Sequence, residues 1–341
     1  MTRKAKPKTM RGSMGRGRAS RLVACAGLVG VLVAGTGCTQ RANEGMSPNA
    51  RSYLSAALDI MEKNSLRRDK VDWPRVRRTA FSLARSAQKP EDTYEAIRFA
   101  VNSLNDNHSS FHEPQRAKGE FEAPAKTFDG LQGRSLEGRI GYISLPGVRS
   151  EAAFAEYVRQ GRAAVAEADR DRACGWVVDL RQEDGGGMWA PLAVLGRVLG
   201  DGDVGMFVGP DGKKSVWTVE DGNPRDGEAS WGSGAPVAHP DAPVAVLTGK
   251  ATASAGEAVA IAFRGRPDTR FFGQRTLGLP TGNNAHRLSD GAVLILTEGK
   301  DADRTGRIYD GRISPDEEIP DGGRDALEAA KDWLLSQRAC R

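Results

Sequence analysis

The sequence predicts an α/β fold, a largely parallel sheet covered by helices on both faces, preceded by a small helical module. Three observations carry this. From residue 139 onward, strand-like apolar runs alternate with helical stretches. Two of those runs, residues 174–180 and 243–247, are almost continuously apolar, which is the pattern of strands buried on both sides. Residues 51–104, by contrast, show only helical spacing.

The chain opens with a targeting segment. Its first 21 residues hold eight Lys or Arg and no acid, and an uncharged apolar stretch of 16 residues, 22–37, follows. That stretch is short of the roughly 20 residues a helix needs to cross a bilayer. It runs into Ala34-Gly35-Thr36-Gly37-Cys38, which resembles a bacterial lipobox with Cys38 as the lipidated first residue of the mature chain. The alternative is an ordinary cleaved signal with an incidental cysteine. The expected organisation is a lipoprotein signal peptide over 1–37, a polar tether over 38–50, a helical module over 51–113 and an α/β core over 114–341.

Cleavage changes the charge argument. Removing the eight basic residues of the signal from the 49 in the chain, against 44 acidic ones, turns a net charge of +5 into −3. No clustered basic face remains to bind nucleic acid, so no nucleic-acid partner is expected. Of the four cysteines, Cys25 leaves with the signal and Cys38 would carry lipid. Cys174 and Cys340 remain; they could pair in an oxidising exterior, or Cys174 could be a plain core thiol at the start of a buried strand.

Taken in order, Tyr53, Leu54, Ala57, Leu58 and Met61 fall on one helical face. A second helix carries Val76, Ala80, Leu83 and Ala84, and a third, opened by Lys89-Pro90-Glu91-Asp92, carries Tyr94, Ile97, Val101 and Leu104. The sequence is irregular from Pro114 to a strand over 139–144; a helix from Glu151 to about Ala168 precedes the buried strand at 174–180. Gly185-Gly186-Gly187 leads into a helix over 189–199, and 204–219 reads as one or two short strands. Residues 220–241 form a long aperiodic loop, of the kind that is usually functional or mobile. The strand at 243–247 then turns through 248–257 into an apolar helix ending at Phe263. Strands at 270–273, 286–288 and 292–297 and an amphipathic helix over 324–337 complete the chain.

Ser254 lies in the turn between that buried strand and the apolar helix, among the small residues Ala253, Ala255 and Gly256. A helix N-terminus leaves backbone N–H groups unpaired and carries positive potential, so an oxyanion forming there is stabilised. Small neighbours let a substrate carbonyl approach. The same residues fit a simple helix cap, with Glu257 as the partner three positions on, and the local pattern alone favours the cap.

Several ordered motifs tip the balance. Asn105-Asp106-Asn107-His108-Ser109, Gly141-Tyr142-Ile143, Asp179-Leu180-Arg181 with Gly185-Gly186, Thr252-Ala253-Ser254-Ala255-Gly256-Glu257, the run 273–278 and the run 310–316 follow one another in that order. Together they resemble the tail-specific, or C-terminal processing, serine peptidases and their tricorn-like and interphotoreceptor-retinoid-binding relatives. The resemblance covers roughly residues 50–320. It implies a crotonase-like (Clp-protease-like) core of stacked strand-strand-helix units and a serine nucleophile at Ser254. No room exists between Pro114 and Arg139 for the PDZ domain that many such enzymes carry.

Departures from the family pattern choose the base. Where the serine–lysine branch has its lysine, this chain has Leu279, and neither Lys250 nor Lys300 matches a family position. The tricorn-like branch uses a histidine in an Asp-x-His motif, which here is His108. Histidine titrates near neutral pH and can take and return the serine proton. By the same resemblance Glu298, after the Asp290-Gly291 turn and one strand, would orient His108 or contact the substrate amine; otherwise it is an exposed strand-end carboxylate. The backbone N–H of Ala255 and of Gly185 or Gly186 would form the oxyanion hole. Structural alternatives are a satisfied core histidine for His108 and a tight turn for the glycines. Arg181 is expected to brace loops rather than touch substrate. His112, His239 and His286 are dispersed, so neither a metal nor a cofactor is expected.

The function implied is hydrolysis of peptide bonds in a peptide or protein substrate, outside the cytoplasm, by a protein tethered to the bacterial cell membrane through Cys38. The alternatives are a non-catalytic ligand-binding or peptide-binding module on the same fold, and an esterase-type acyl hydrolase. Oligomeric state is not encoded in any of these features.

Overall fold

The computed structural model describes residues 45–225, 231–320 and 322–341. The signal segment and the lipid-acceptor candidate Cys38 lie outside the described residues. The described residues cluster as one compact unit.

The first helix, α1 (Pro48–Asn64), begins inside the segment read as tether, because Ser47 caps it by accepting from the Ala50 N–H at 3.2 Å and Pro48 supplies its first position. Its buried face is the one the spacing predicts: Tyr53, Leu54, Ala57, Leu58 and Met61. With α2 (Trp73–Leu83) and α3 (Tyr94–Ser103) it forms the helical module. The module's apolar face is closed by Leu288, Ala292, Leu294 and Leu296 of the core. Tyr53 and Tyr94 both donate their phenolic O–H to Asp290, at 2.8 and 2.6 Å.

After a short strand, β1 (Ser110–His112), the segment that looks irregular in sequence holds a two-turn helix, α4 (Pro114–Phe121), and a strand, β2 (Gln132–Leu136). Both are too short and too polar to show a period. The predicted parallel sheet then forms from β3 (Ile140–Ser144), β4 (Gly175–Asp179), β8 (Val244–Thr248), β9 (Thr269–Gly273) and a two-residue β12 (Glu317–Glu318). The strand order is β12-β9-β8-β4-β3-β2, and only β2 runs antiparallel. Strand alternation sends Ile143, Val178 and Val246 toward α5 (Phe154–Ala168), α6 (Trp189–Leu199) and α7 (Ala255–Phe263). Tyr142, Val177, Ala245 and Leu247 face the other way, onto α8 (Ala326–Ser336). The sheet is therefore covered on both faces.

A second sheet, antiparallel, is built around the long strand β11 (Val293–Asp303). β10 (Thr281–Arg287) pairs with it along one edge; β1 and β5 (Gly202–Val208) pair with successive parts of it, and β6 (Lys214–Glu220) and β7 (Asn223–Arg225) extend from β5. Two segments distant in sequence thus meet: β1, directly after His108, and the strands following α7.

Cys174 and Cys340 form a disulfide with a Cα–Cα distance of 5.1 Å, tying the start of β4 to the chain's end. Of the two readings open for Cys174, the bonded one holds.

Candidate active site

Ser254 is held by an unusual backbone. The turn from β8 into α7 places it at φ 51° and ψ −112°, a left-handed conformation that costs a non-glycine residue on the order of 1–3 kcal/mol. A strained serine at a strand-to-helix turn projects its hydroxyl away from both elements. The strain is fixed by Glu257, whose buried carboxylate gathers four donors. The Ser254 and Leu279 N–H groups donate to Oε2 at 3.0 and 2.7 Å, and the Thr276 hydroxyl and Gly278 N–H donate to Oε1 at 2.5 and 2.9 Å. Burial pushes this carboxyl up from the usual glutamate range, and the four donors work against that push. Glu257 is therefore more than a cap partner, and Leu279, standing where a lysine base would be, contributes a backbone amide.

His108 Nε2 lies 2.9 Å from Ser254 Oγ across 146 residues of sequence. The other ring nitrogen, Nδ1, lies 2.7 Å from Thr281 Oγ1 at the start of β10. If Nε2 is to accept the serine O–H, Nδ1 carries the ring proton and donates it to Thr281, which fixes the tautomer and the ring plane. The imidazole is mostly buried, and that burial pushes it below the ordinary histidine value of 6.5, with the nearby Asp106 charge pulling the other way. It stands neutral at pH 7. Its backbone is pinned as well. Asp106 accepts from the N–H groups of His108 and Ser109 at 3.0 and 2.6 Å and from the Ser109 hydroxyl at 3.0 Å, and Asn283 Nδ2 donates to the His108 carbonyl at 3.1 Å.

Glu298 is not brought to His108. It accepts from Asn284 Nδ2 and pairs with His286 Nε2, both at 2.6 Å, on β10. Thr297, next to it on β11, faces Ser109 and Asp106, whereas Glu298, the residue that the β10–β11 register skips at a bulge, turns to Asn284 and His286. Counting along the chain finds the strand but neither its end, since β11 runs on to Asp303, nor the direction of the side chain. Thr281, which occupies the orienting position, carries no sequence signal of its own.

The glycine-rich turn lies against Ser254. Gly185 and Gly186 have φ values of 110° and 122°. A Cβ on Gly185 would sit 3.3 Å from Ser254 Cβ, and one on Gly186 would strike the Val148 carbonyl at 2.1 Å. The backbone amides of Gly186 and Ala255 have no acceptor among the described residues. Beneath this turn Glu183 is fully buried; the Gly185 N–H is the donor that faces its carboxylate, and its backbone carbonyl accepts from the Ala253 N–H at 3.1 Å. Arg181 braces the region as expected, clasping Asp179 through Nε and Nη2 while Tyr142 donates to the same carboxylate at 2.8 Å. Ser254 and His108 open into a cavity of about 490 Å³. No group of three or more metal-ligating side chains occurs among the described residues.

The model of peptidase family S41 matches residues 139–319, more than half of the chain. The chain belongs to peptidase family S41. The resemblance read from the ordered motifs is thereby borne out, and so is the α/β core with its helical module. A relative over most of this S41 chain is the nisin-resistance protein of Lactococcus lactis subsp. lactis, 25% identical over 296 residues, covering 85% of this chain and 88% of that protein. Among solved structures, a lipoprotein from Streptococcus agalactiae superposes with a TM-score of 0.71 at 23% identity, covering 85% of this chain and 98% of that one. The photosystem II D1 C-terminal processing protease superposes with a TM-score of 0.61 at 16% identity, over 86% and 99%. Both structures share the fold. The S41 assignment makes a serine peptidase the general class of this protein.

Proposed function

We propose that this S41 chain is an active serine peptidase in which Ser254 is the nucleophile and His108 the general base. The observation that carries the reading is the short Ser254–His108 contact, with the far ring nitrogen anchored on Thr281. Ser254 Oγ attacks the scissile carbonyl as its proton passes to His108 Nε2. The oxyanion that forms is stabilised by the Ala255 N–H at the head of α7 and by an N–H of the Gly185-Gly186 turn. His108 then protonates the departing amine, leaving an acyl-enzyme. A water molecule, deprotonated by the same imidazole, releases the acid and restores the serine.

The proposal extends to location. A signal over 1–37, lipid at Cys38 and the S41 core together make an extracytoplasmic protein anchored to the cell membrane, and a disulfide between Cys174 and Cys340 suits that compartment. No helix among the described residues is long and apolar enough to cross a membrane. The name of the Lactococcus relative makes nisin a substrate to assay beside general peptide libraries.

The test is covalent labelling by a fluorophosphonate together with peptide turnover. Wild-type protein should label and cleave, and Ser254→Ala should do neither. Equal labelling of both proteins would defeat the assignment of Ser254, and labelling with ester but no peptide turnover would defeat the peptidase reading.

A further inference from the structure

The cavity that holds Ser254 and His108 also contains a carboxyl for which the reaction has no use. Asp301, on β11, is only 1% exposed and lines that cavity, yet neither of its carboxylate oxygens has a hydrogen-bond partner among the described residues. Its main chain is fixed, since its N–H donates to the Pro280 carbonyl at 3.1 Å and its carbonyl accepts from the Tyr309 N–H at 2.9 Å. Asp303 makes the contrast plain. Two positions along the same strand and on the same face, it is also buried but accepts from the N–H groups of Thr305 and Arg307 and from the hydroxyls of Thr305 and Tyr309. The chain saturates one carboxylate and leaves its neighbour with nothing.

Leaving a buried polar group without a partner is costly. Burial, with the Glu257 charge adding to it, pushes the Asp301 carboxyl well above the usual aspartate range and favours its neutral form. The same cavity is lined by the apolar Met188, Trp189, Phe207, Ala258 and Ile295, and elsewhere by Arg149, Glu120 and Glu151. A stretch of apolar wall beside a buried carboxyl without a hydrogen-bond partner matches a long side chain with an aliphatic stem and a cationic head. A carboxylate takes two N–H donors of a guanidinium at once. On the peptidase reading above, we propose that Asp301 determines specificity by receiving the head group of an arginine or lysine that flanks the scissile bond, while Met188, Trp189 and Phe207 pack along its stem.

Two sets of quenched peptides test this, one varied just before the scissile bond and one just after, with Arg, Lys, citrulline, Leu or Glu. Wild-type protein should prefer Arg or Lys over citrulline and Leu by at least about tenfold in kcat/KM at one of the two positions. Asp301→Asn should remove most of that ratio, mainly through KM, while the Leu peptide changes by less than about threefold. A wild-type preference for Leu at both positions would overturn the proposal whether or not the variant folds. Citrulline equal to Arg would overturn the cationic assignment, and a uniform loss across all peptides in Asp301→Asn would move Asp301 into the catalytic machinery. Binding of the same peptides to Ser254→Ala and to Ser254→Ala/Asp301→Asn separates this proposal from the one it rests on. Tighter binding of Arg peptides that depends on Asp301 upholds it even if wild-type protein neither labels nor cleaves. Labelling and cleavage with no charge preference leaves the peptidase standing and removes the role of Asp301.

Discussion

Replacing Glu183 by glutamine should make the protein more stable at neutral pH. Glu183 is fully buried beneath the Ser254 turn, and burial pushes its carboxyl up to about 8, against the pull of the Gly185 N–H and the Arg149 charge and with the neighbouring Asp184 and Glu257 charges adding to the push. In the unfolded chain it titrates near the ordinary value of 4.5. Between these two values the folded protein keeps the proton that the unfolded chain has lost. Stability therefore falls as pH rises from 4.5, by about 1.4 kcal/mol per pH unit, and levels off above 8 once both states are ionised. At pH 7 the accumulated penalty is on the order of 3 kcal/mol. Glutamine keeps the size and the neutral, doubly polar head, so it removes the penalty and little else. Urea denaturation with the disulfide intact, run at intervals between about pH 4.5 and 8, should show the two proteins equal at the acid end, with Glu183→Gln pulling ahead as pH rises. The depressed His108 contributes a slope of the opposite sign below 6.5, but it is common to both proteins and cancels. A stability difference that does not change with pH, or a variant weaker than wild type at pH 7, would refute the assignment of a buried neutral carboxyl.

Three further outcomes follow from the same geometry. The kcat/KM of the wild-type enzyme should rise with pH along an acid limb centred below 6.5 and be flat by neutrality, since burial holds His108 neutral there; a limb at or above 6.5 would contradict the buried base, and His108→Ala should lose roughly 10²–10⁴-fold. Thr281→Val removes the acceptor for His108 Nδ1–H and should lower kcat about tenfold, the worth of roughly one lost hydrogen bond, with Thr281→Ser restoring most of it. Reducing the Cys174–Cys340 bond, which spans 166 residues, should lower stability by up to about 5 kcal/mol on the chain-entropy argument; a loss below about 1 kcal/mol in chemical denaturation would show the bond to be dispensable.

The parts of the fold legible in the sequence were those with a strong period. The buried strands β4 and β8 are uninterrupted apolar runs, and α1 and α3 show their inner faces at helical spacing. The antiparallel sheet was only partly visible. β10 reads TGNNAHR, without alternation, and its position is set by pairing along β11 rather than by its own residues. At the site, Ser254 and His108 stood out because their motifs occur in order, whereas their immediate neighbours alone pointed to a helix cap. Glu298 was misdirected because spacing along a strand does not fix the direction of a side chain. Thr281, Glu183 and Asp301 could not be read at all. Burial of a polar side chain and contact across about 170 residues are products of tertiary packing, and each of the three is an unremarked polar residue in its own segment.

The proposed base enters from the wrong end of the molecule. His108 belongs to the stretch between α3 and β1, upstream of residues 139–319 that define the family, and it reaches Ser254 only because β1 zips onto β11 while Tyr53 and Tyr94 grip Asp290. Ser254 and His108 thus come from segments 146 residues apart in the chain. A single nick in the connection between β1 and β3 would leave each half chemically inert by itself, and turnover would then report whether the halves had found each other again.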